Sequence, residues 1–446
     1  MRCKTVVCLV GLALVASGAN SAFSAPSGRR TAQRRSATAA KPAPVMASRP
    51  AEIRENRSSS TEWKVDGQLV VFPMADVVDK TENGDFGRTS SRARLGLKGE
   101  VTEKIGVYIQ GQGNYLFGQT GGATAGGDGT GFTLHQAYTD LKLGSSNLRL
   151  GRTTYQIGDG RLVGIADYTP FHRIQDGTGA YATIPGDYAF EGAVLTLGNQ
   201  AAWNLDLLGF LLTEREGVEP VADDVGVAIV NLSLNEVIPS GSLNPYFIYH
   251  RDGDDTGGVN ALSRYTLGTR ITYNTDTVDL AGEGALQFGR DAGANVLAWA
   301  GHARAGYTFP DTNGFRLGVQ ADVATGDDPG SGKNEDFQLI TPDTWGQLGH
   351  ILVAQLLAAN ETDWSDVLHA NANLRIGFSE TVHGSLGYHY LSEFEGPAVG
   401  HVFEALLENH YNENLGIDFI YNLFVDDNEF GGTVGHFVGA RTQVTF

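Results

Sequence analysis

The sequence Thr-Leu-Gly-Thr-Arg-Ile-Thr-Tyr at residues 266–273 decides the fold class of this chain. Leucine, threonine, isoleucine and tyrosine occupy the odd-numbered positions, whereas glycine, arginine and threonine fill the even-numbered positions between them. This strict alternation predicts a β-strand with one apolar and one polar face. A soluble sandwich buries its apolar face, whereas a membrane barrel turns that face to lipid and its polar face to the lumen.

The same alternation recurs between residues 61 and 446 and predicts seventeen strands there. After the N-terminus, no apolar run is long enough for a membrane-spanning helix. Because bacterial single-chain barrels have an even number of strands, we expect one more, and residues 348–357 are the best remaining segment. The prediction is an all-β fold, a transmembrane antiparallel β-barrel of eighteen strands with long external loops. Residues 393–411 would then form a long periplasmic connection.

The last predicted strand supports a membrane barrel. Val438, Ala440, Thr442 and Val444 alternate along one face, and the chain ends in Phe446. This ending resembles the C-terminal signal that outer-membrane barrels present to the barrel assembly machinery. In a soluble protein, such an apolar edge strand would be an aggregation hazard. We therefore expect outer-membrane lipid and the barrel assembly machinery as partners.

The N-terminus indicates export from the cytoplasm. Arg2 and Lys4 precede an apolar run at 6–16, and small residues at Ala22 and Ser24 are spaced for a signal peptidase. This pattern predicts a signal peptide over residues 1–24. Both cysteines lie within it, so the mature chain would have no disulfides and no thiol chemistry. The expected location after cleavage is the cell outer membrane of a Gram-negative-type bacterium.

Charge divides the chain into a basic tail and an acidic body. Of the 32 Lys and Arg residues, ten lie in residues 1–60, together with two of the 51 acids. Residues 25–60 are rich in Ala, Ser, Pro and Arg and are predicted to be a disordered basic linker. The linker is either a tether to an acidic periplasmic surface or simply solvated. Residues 61–446, the predicted barrel, are strongly acidic, which argues against nucleic acid as a partner.

The polar strand faces repeatedly carry arginine, whereas acids concentrate in the predicted connections. A lipid-facing arginine near mid-bilayer would cost roughly 2–4 kcal/mol, so these faces should line the lumen. A cationic ring in a narrow pore selects anions, and guanidinium groups pair bidentately with carboxylates. The predicted solute-binding residues of the lumen are Arg92, Arg94, Arg149, Arg152, Arg161, Arg173, Arg270, Arg304, Arg316 and Arg375.

Two points about these arginines stay open at this stage. Strict alternation from Arg149 would turn Arg152 outward, so a lumen position for Arg152 needs a bulge or a strand end. The arginines could also pair with lumen acids such as Asp322 and Asp418 and brace the barrel. Anion selectivity is preferred because matched bracing would need more inward acids than the alternation predicts.

Several motifs resemble the alginate export family of outer-membrane porins. Leu-Arg-Leu-Gly-Arg at 148–152 is followed by Gly-Asp-Gly-Arg-Leu-Val-Gly at 158–164, and further matches lie at 173–177, 325–329, 415–418 and the Arg92, Arg94 pair. The resemblance implies an eighteen-stranded barrel that passes a polyanionic exopolysaccharide through an arginine-rich constriction, with loops that plug the pore. It also implies that Arg92, Arg94, Arg152, Arg161 and Arg173 are pathway arginines. Departures are the basic tail, Thr325 in place of Ser, and the loss of a His near Pro342.

The preferred function is an anion-selective outer-membrane channel that exports or passes an acidic, alginate-like exopolysaccharide or small organic anions. A periplasmic export complex would be a further partner. The alternatives are a general small-solute porin, or a barrel enzyme or adhesin. His383, Ser385 and His389 share a face, but any lumen produces that spacing, and no hydrolase, metalloprotease or P-loop motif is present, so an enzyme is not expected. No cofactor and no metal site are predicted, and the acidic residues at 327–336 are interpreted as a solvated loop.

Overall fold

The computed structural model describes residues 62–78, 86–117, 131–165, 171–175, 181–185, 189–199, 201–213, 225–235, 237–252, 262–328, 330–341, 366–394, 396, 398–426 and 434–446. The predicted signal peptide and basic linker lie outside these ranges, and both remain predictions. Within the described residues, no helix is both long enough and apolar enough to cross a membrane.

Twenty strands follow one another along the described chain. They are β1 (Trp63–Val78), β2 (Phe86–Thr102), β3 (Ile105–Phe117), β4 (Gly131–Leu143), β5 (Ser146–Thr153), β6 (Phe171–Gln175), β7 (Tyr181–Pro185), β8 (Phe190–Asn199), β9 (Trp203–Thr213), β10 (Val225–Leu234), β11 (Gly241–Asp252), β12 (Leu262–Asn274), β13 (Val278–Asp291), β14 (Ala294–Thr308), β15 (Arg316–Ala324), β16 (Val367–Gly377), β17 (Val382–Glu393), β18 (Ala398–Asn412), β19 (Leu415–Asp426) and β20 (Val434–Thr445).

Eighteen of these strands form one antiparallel sheet in sequence order, and β20 pairs with β1 to close it into a barrel. The remaining two, β6 and β7, form a separate hairpin within the connection between β5 and β8. Connections 103–104, 144–145 and 413–414 lie at one end of the barrel, together with the start of β1 and the end of β20. We call this the short-turn end and the opposite end the long-loop end. The predicted fold class, an eighteen-stranded barrel, is confirmed.

The position of the eighteenth strand was predicted wrongly. Residues 348–357 lie outside the described residues, and β15 pairs directly with β16, so no barrel strand lies between these two. The additional strand is β18, in the region assigned to a periplasmic connection. Glu404 and Glu408 are four residues apart with Leu406 and Leu407 between them, which resembles the spacing of a helix. In the barrel, both glutamates are buried on the inner face, whereas Phe403 is 47% exposed on the outer face.

Side-chain exposure shows that the polarity of the barrel is inverted relative to a soluble sandwich. Along β12, Leu267 and Ile271 are 55% and 47% exposed, whereas Arg270 between them is 6% exposed. Large apolar side chains on the outside and a buried guanidinium inside are the arrangement of a lipid-facing barrel. The alternation of residues 266–273 therefore corresponds to an apolar lipid face and a polar lumen face.

Two loop segments, 154–165 and 325–341, pack inside the barrel. Ile157, Leu162, Val163 and Phe337 are each at most 4% exposed and join a cluster with inward residues of β8 to β15, including Phe210. Burying an apolar side chain of this size contributes about 1.5–3 kcal/mol. The cluster therefore holds both segments against one side of the lumen wall.

The two inserted segments also bind each other through their backbones. The Gly164 amide donates to the Thr341 carbonyl at 2.6 Å, and the amides of Ile340 and Thr341 donate to the Leu162 carbonyl. Before it enters the lumen, the second segment pairs with the long-loop end of β14 through Asn334. The inserted segments thus form one unit, anchored to the wall and narrowing the lumen.

Candidate solute pathway in the lumen

A loop carboxylate lies between two wall arginines inside the barrel. An Oδ atom of Asp159 lies 2.7 Å from a guanidinium nitrogen of Arg270 on β12, and the other Oδ lies 3.1 Å from one of Arg304 on β14. Gly158 has a φ of +56°, and a Cβ there would lie 2.7 Å from the Arg270 guanidinium. Glycine at 158 therefore permits both the left-handed turn and the close approach that place Asp159 between the arginines.

Two opposing effects set the ionisation of Asp159. Burial raises the pKa of this carboxyl group. Nearby positive charges, chiefly the guanidinium groups of Arg304 and Arg270, lower the pKa by more than burial raises it, so the pKa lies below the ordinary value. The carboxylate is therefore ionised at neutral pH. The site contains one fixed anion between two fixed cations, which is the chemistry that binds a carboxylate.

A second contact anchors the same loop with the charges reversed, because here the loop supplies the cation and the wall supplies the anion. Arg161, two residues after Asp159, donates to the Asp322 carboxylate on β15 at 2.5 Å. Asp322 is 4% exposed and also contacts Nδ1 of His302 at 2.7 Å, Nδ1 of His369 at 2.8 Å and the Gln320 amide at 2.8 Å. Asp322 is thus the centre of a buried polar network, and the loop supplies the only guanidinium among these four contacts.

The polar network continues around the wall across β16 and β17. Nε2 of His369 lies 3.0 Å from Nδ1 of His389, and Nε2 of His389 lies 3.0 Å from the Asn371 amide nitrogen. The two imidazole rings stack with their centroids 5.2 Å apart. His389, one member of the trio considered for catalysis, is therefore part of this wall network.

A small cavity lies between the inserted loops and the wall. Its lining includes Arg161, Glu283, His302, Asp322 and Phe337. Within it, the Tyr246 hydroxyl donates to the Glu283 carboxylate at 2.7 Å. The cavity therefore has two acids and one arginine beside an apolar ring, and it shares Arg161, His302 and Asp322 with the polar network.

Three more of the predicted arginines bind acids towards the short-turn end. The pairs are Arg149 with Asp140 at 2.8 Å, Arg316 with Asp279 at 3.1 Å through Nε, and Arg375 with Glu408 at 3.0 Å. The Arg149 guanidinium also lies 3.9 Å from the centroid of the Tyr138 ring. These pairs connect strands across the wall, so they can brace the barrel.

Arg92 and Arg94 on β2 bind amides. Arg92 is fully buried and donates to the Gln68 side-chain oxygen at 2.9 Å, and Arg94 donates to that of Gln112 at 2.6 Å. Around the closed sheet, β2 lies eight strands from both β12 and β14. These arginines therefore occupy the wall opposite Arg270 and Arg304. Arg173 lies in β6, but its side chain is outside the described part of the structure.

The structure places Arg152 on the outer face of the barrel. Arg152 is paired in register with Glu191 and lies 3.0 Å from that carboxylate, which is 61% exposed. Arg149 and Thr153 hydrogen-bond to each other on the inner face, so the residue before Thr153 points outward. Gly151 between them has a φ of +123° but inserts no extra residue. The prediction that Arg152 lines the lumen was wrong because strand alternation is maintained.

The lumen contains more acids than the sequence predicted. Asp140, Asp279 and Glu408 each pair with an arginine, as described for the short-turn end. The two lumen acids that the sequence suggested as bracing partners are also paired, Asp322 with Arg161 and Asp418 with Arg441. The alternation did indicate one of these inward acids, because Asp322 lies between Ala321 and Val323 on the polar face of its strand. Missing β18 removed Glu408 from consideration. Bracing therefore accounts for many of the lumen arginine contacts.

Comparison with known proteins adds a family match and a set of similar folds. The model of the alginate export family matches residues 233–390, which include Arg270, Arg304 and Asp322. A search of curated proteins found no match.

Three solved structures have a similar fold. OccK11 (OpdR) of Pseudomonas aeruginosa aligns with a TM-score of 0.54 and 13% identity over 86% of this chain and 96% of that chain. OccAB4 of Acinetobacter baumannii aligns with a TM-score of 0.54 and 12% identity over 87% of this chain and 100% of that chain. OccK9 (OpdG) of Pseudomonas aeruginosa aligns with a TM-score of 0.56 and 12% identity over 86% of this chain and 99% of that chain. At these identities, the likeness concerns the fold alone. The match over residues 233–390 confirms the predicted resemblance to the alginate export family for that segment, and together with the barrel fold it supports an outer-membrane channel.

Proposed function

We propose that this channel passes an acidic polysaccharide, or smaller organic anions, and that Arg270 and Arg304 bind the carboxylates in transit. One observation carries the proposal: these two guanidinium groups converge on a single carboxylate, that of Asp159, inside the lumen. Asp159 belongs to an inserted loop, so it occupies the position that a uronate carboxylate would take. The family match over the same strands supports an acidic polymer as the solute.

In this mechanism the solute competes with the loop. With Asp159 in place, the two arginines and one carboxylate carry a net charge of +1; a departing loop would leave +2. Arginine forks bind carboxylates with defined geometry, and conduction requires each site to be weak enough to release its anion. Exchange between Asp159 and successive uronates would meet both requirements. Arg92 and Arg94 on the opposite wall would provide the next contact.

A general small-solute porin is the second candidate. The acid partners of Arg149, Arg316 and Arg375 favour it, because a wall of paired charges has little net field to attract a polyanion. The two functions differ in how the pore responds to uronate oligomers. Only the first requires a carboxylate to bind at Arg270 and Arg304.

The test is block of single-channel current in planar bilayers by oligouronates, with neutral oligosaccharides of the same length as the control solute. We expect the Arg270→Gln, Arg304→Gln double variant to weaken oligouronate block about tenfold, and Asp159→Asn to strengthen it. Neutral oligosaccharides should affect all three proteins equally. Equal block by charged and neutral oligomers would refute the acidic solute and favour the porin.

A further inference from the structure

An outward-facing polar row crosses four strands at the long-loop end of the barrel. Arg251 on β11 is in register with Ser263 on β12, Ser263 with Arg290 on β13, and Arg290 with Asn295 on β14. Both arginines and the asparagine are exposed, and the alternation along each strand turns all four residues outward. They form one continuous row, which we call the arginine row.

An aromatic row lies directly beneath the arginine row on the same face. Tyr249, Tyr265, Phe288 and Leu297 occupy the next outward position of the same four strands. The rings of Tyr249 and Tyr265 stack at 4.9 Å, and those of Tyr265 and Phe288 at 5.4 Å. The row after that is apolar and consists of Phe247, Leu267, Leu286 and Trp299, so the outer face passes from cationic to aromatic to mixed apolar residues within three positions.

The two arginines have no ion-pair partner among the described residues. The acids that follow them in sequence, Asp252 and Asp291, fall on the inner face, and Asp291 binds Arg264 there at 2.9 Å. By contrast, Arg152 on the same outer face is paired with Glu191. Arg251 and Arg290 are two strands apart, which places their Cα atoms about 10 Å from each other. Two long side chains at this spacing can converge on one anion.

The position of the arginine row selects the leaflet. In bacterial outer-membrane barrels the short turns face the periplasm and the long loops face outward, so this row lies at the external side. The cost of a lipid-facing arginine falls from about 2–4 kcal/mol at the midplane to about 0–1 kcal/mol at the interface. Aromatic residues mark that interface, which places Arg251 and Arg290 at the depth of the outer-leaflet headgroups.

We propose that the arginine row binds a phosphate group of an anionic glycolipid in the outer leaflet. Arg251 and Arg290 hold the phosphate from two sides, since guanidinium forks pair bidentately with phosphate oxygens. Ser263 and Asn295 provide hydrogen bonds to the neighbouring sugar hydroxyls. The acyl chains lie against Phe288 and the apolar row below it. This site is on the outer wall and is separate from the solute pathway.

Native mass spectrometry of the detergent-purified protein with bisphosphorylated lipid A tests the proposal. The Arg251→Gln, Arg290→Gln double variant should lower the lipid-bound fraction about tenfold, the equivalent of about 1.4 kcal/mol. Arg152→Gln is the matched control, an outer-face arginine that already has an acid partner, and it should bind as the wild type does. A phosphate-free lipid A analogue should bind the wild type as weakly as lipid A binds the double variant.

Three results would overturn this site. The first is undiminished lipid A binding by the double variant. The second is equal binding of the phosphate-free analogue. The third is equal binding of phosphatidylglycerol, which carries the phosphate without the sugars. Heat-dependent mobility on gels, compared among all variants, verifies that each protein is folded before binding is measured.

Discussion

Arg161 and Asp322 lie 161 residues apart in sequence, and their side chains meet inside the barrel with a nitrogen–oxygen distance of 2.5 Å. The contact joins an inserted loop to strand β15, and the loop's neighbouring Asp159 is held by two further wall residues. The loop therefore carries one charge of each sign, each matched by the wall. This arrangement fixes the loop's position without giving the loop a net charge.

Breaking the Arg161–Asp322 pair should loosen the loop. In Arg161→Gln, the buried Asp322 loses its guanidinium partner, and removing one member of a buried pair costs about 3–5 kcal/mol. We expect larger open-state current and more frequent current fluctuations in single-channel recordings. Arg152→Gln is the control because its pair with Glu191 lies on the outer face of the barrel, where solvent-exposed pairs contribute little. Identical recordings from both variants would contradict the role of the pair.

Acid should release the loop by protonating Asp159. The pKa of this carboxyl group is lowered in the folded protein, so its ionised form stabilises the docked loop. That stabilisation is fully present above the ordinary carboxyl pKa of about 4 and is lost as pH falls through the lowered value. Conductance should therefore stay constant from pH 7 to about 4 and rise below it.

In Asp159→Asn this acid transition should be absent, because the amide does not titrate. Conductance recorded between pH 7 and 2 for both proteins measures the difference. An acid transition that persists in the variant would assign loop release to another titrating group, and would contradict the role given to Asp159.

The apolar contacts of the second inserted segment should be as important as its polar ones. Phe337 is 1% exposed within the cluster, and Phe337→Ala should cost about 3–5 kcal/mol of packing energy. Hydrogen exchange should then increase at residues 154–165, which share backbone hydrogen bonds with this segment. Leu267→Ala on the lipid face is the control, and it should leave exchange in the loop unchanged. Slow exchange in Phe337→Ala would show that the charged contacts alone hold the loops.

The C-terminal residue should be needed for closure of the barrel. The Phe446 amide donates to the Gly67 carbonyl at 3.1 Å and its carbonyl accepts from the Gly67 amide at 3.0 Å, so it extends the pairing of β20 with β1. Deleting Phe446 should lower the heat-modifiable fraction in outer-membrane preparations. Phe446→Ala, which keeps both backbone bonds, separates the ring from the backbone. Normal assembly of the deletion would refute this role for the terminus.

The strand pattern was readable from sequence wherever the two faces differed strongly. The alternation predicts strands over residues 63–78, 105–117 and 262–274, and β1, β3 and β12 have these bounds because lipid and lumen impose opposite polarities at successive positions. β18 was missed because its inner face carries two glutamates at a spacing that also fits a helix, so the local sequence did not distinguish strand from helix. In the structure, pairing with β17 and β19 makes this segment a strand.

The site was less readable because it depends on distant contacts. Alternation predicted inward positions for Arg270 and Arg304, but no local signal showed that a loop acid at 159 would lie between them. Nor does local sequence show that the two inserted segments pair with each other inside the lumen. Which lumen arginines are neutralised is a property of tertiary structure, and the selectivity of the pore depends on it.

The most direct test of the central claim, that the lumen arginines attract anions, is the reversal potential of the wild-type pore under a potassium chloride gradient. We predict anion preference, reduced in the Arg270→Gln, Arg304→Gln double variant and increased in Asp159→Asn, since the variants remove positive and negative charge respectively from one site. A cation-selective wild-type pore, or a reversal potential that neither variant changes, would contradict the account.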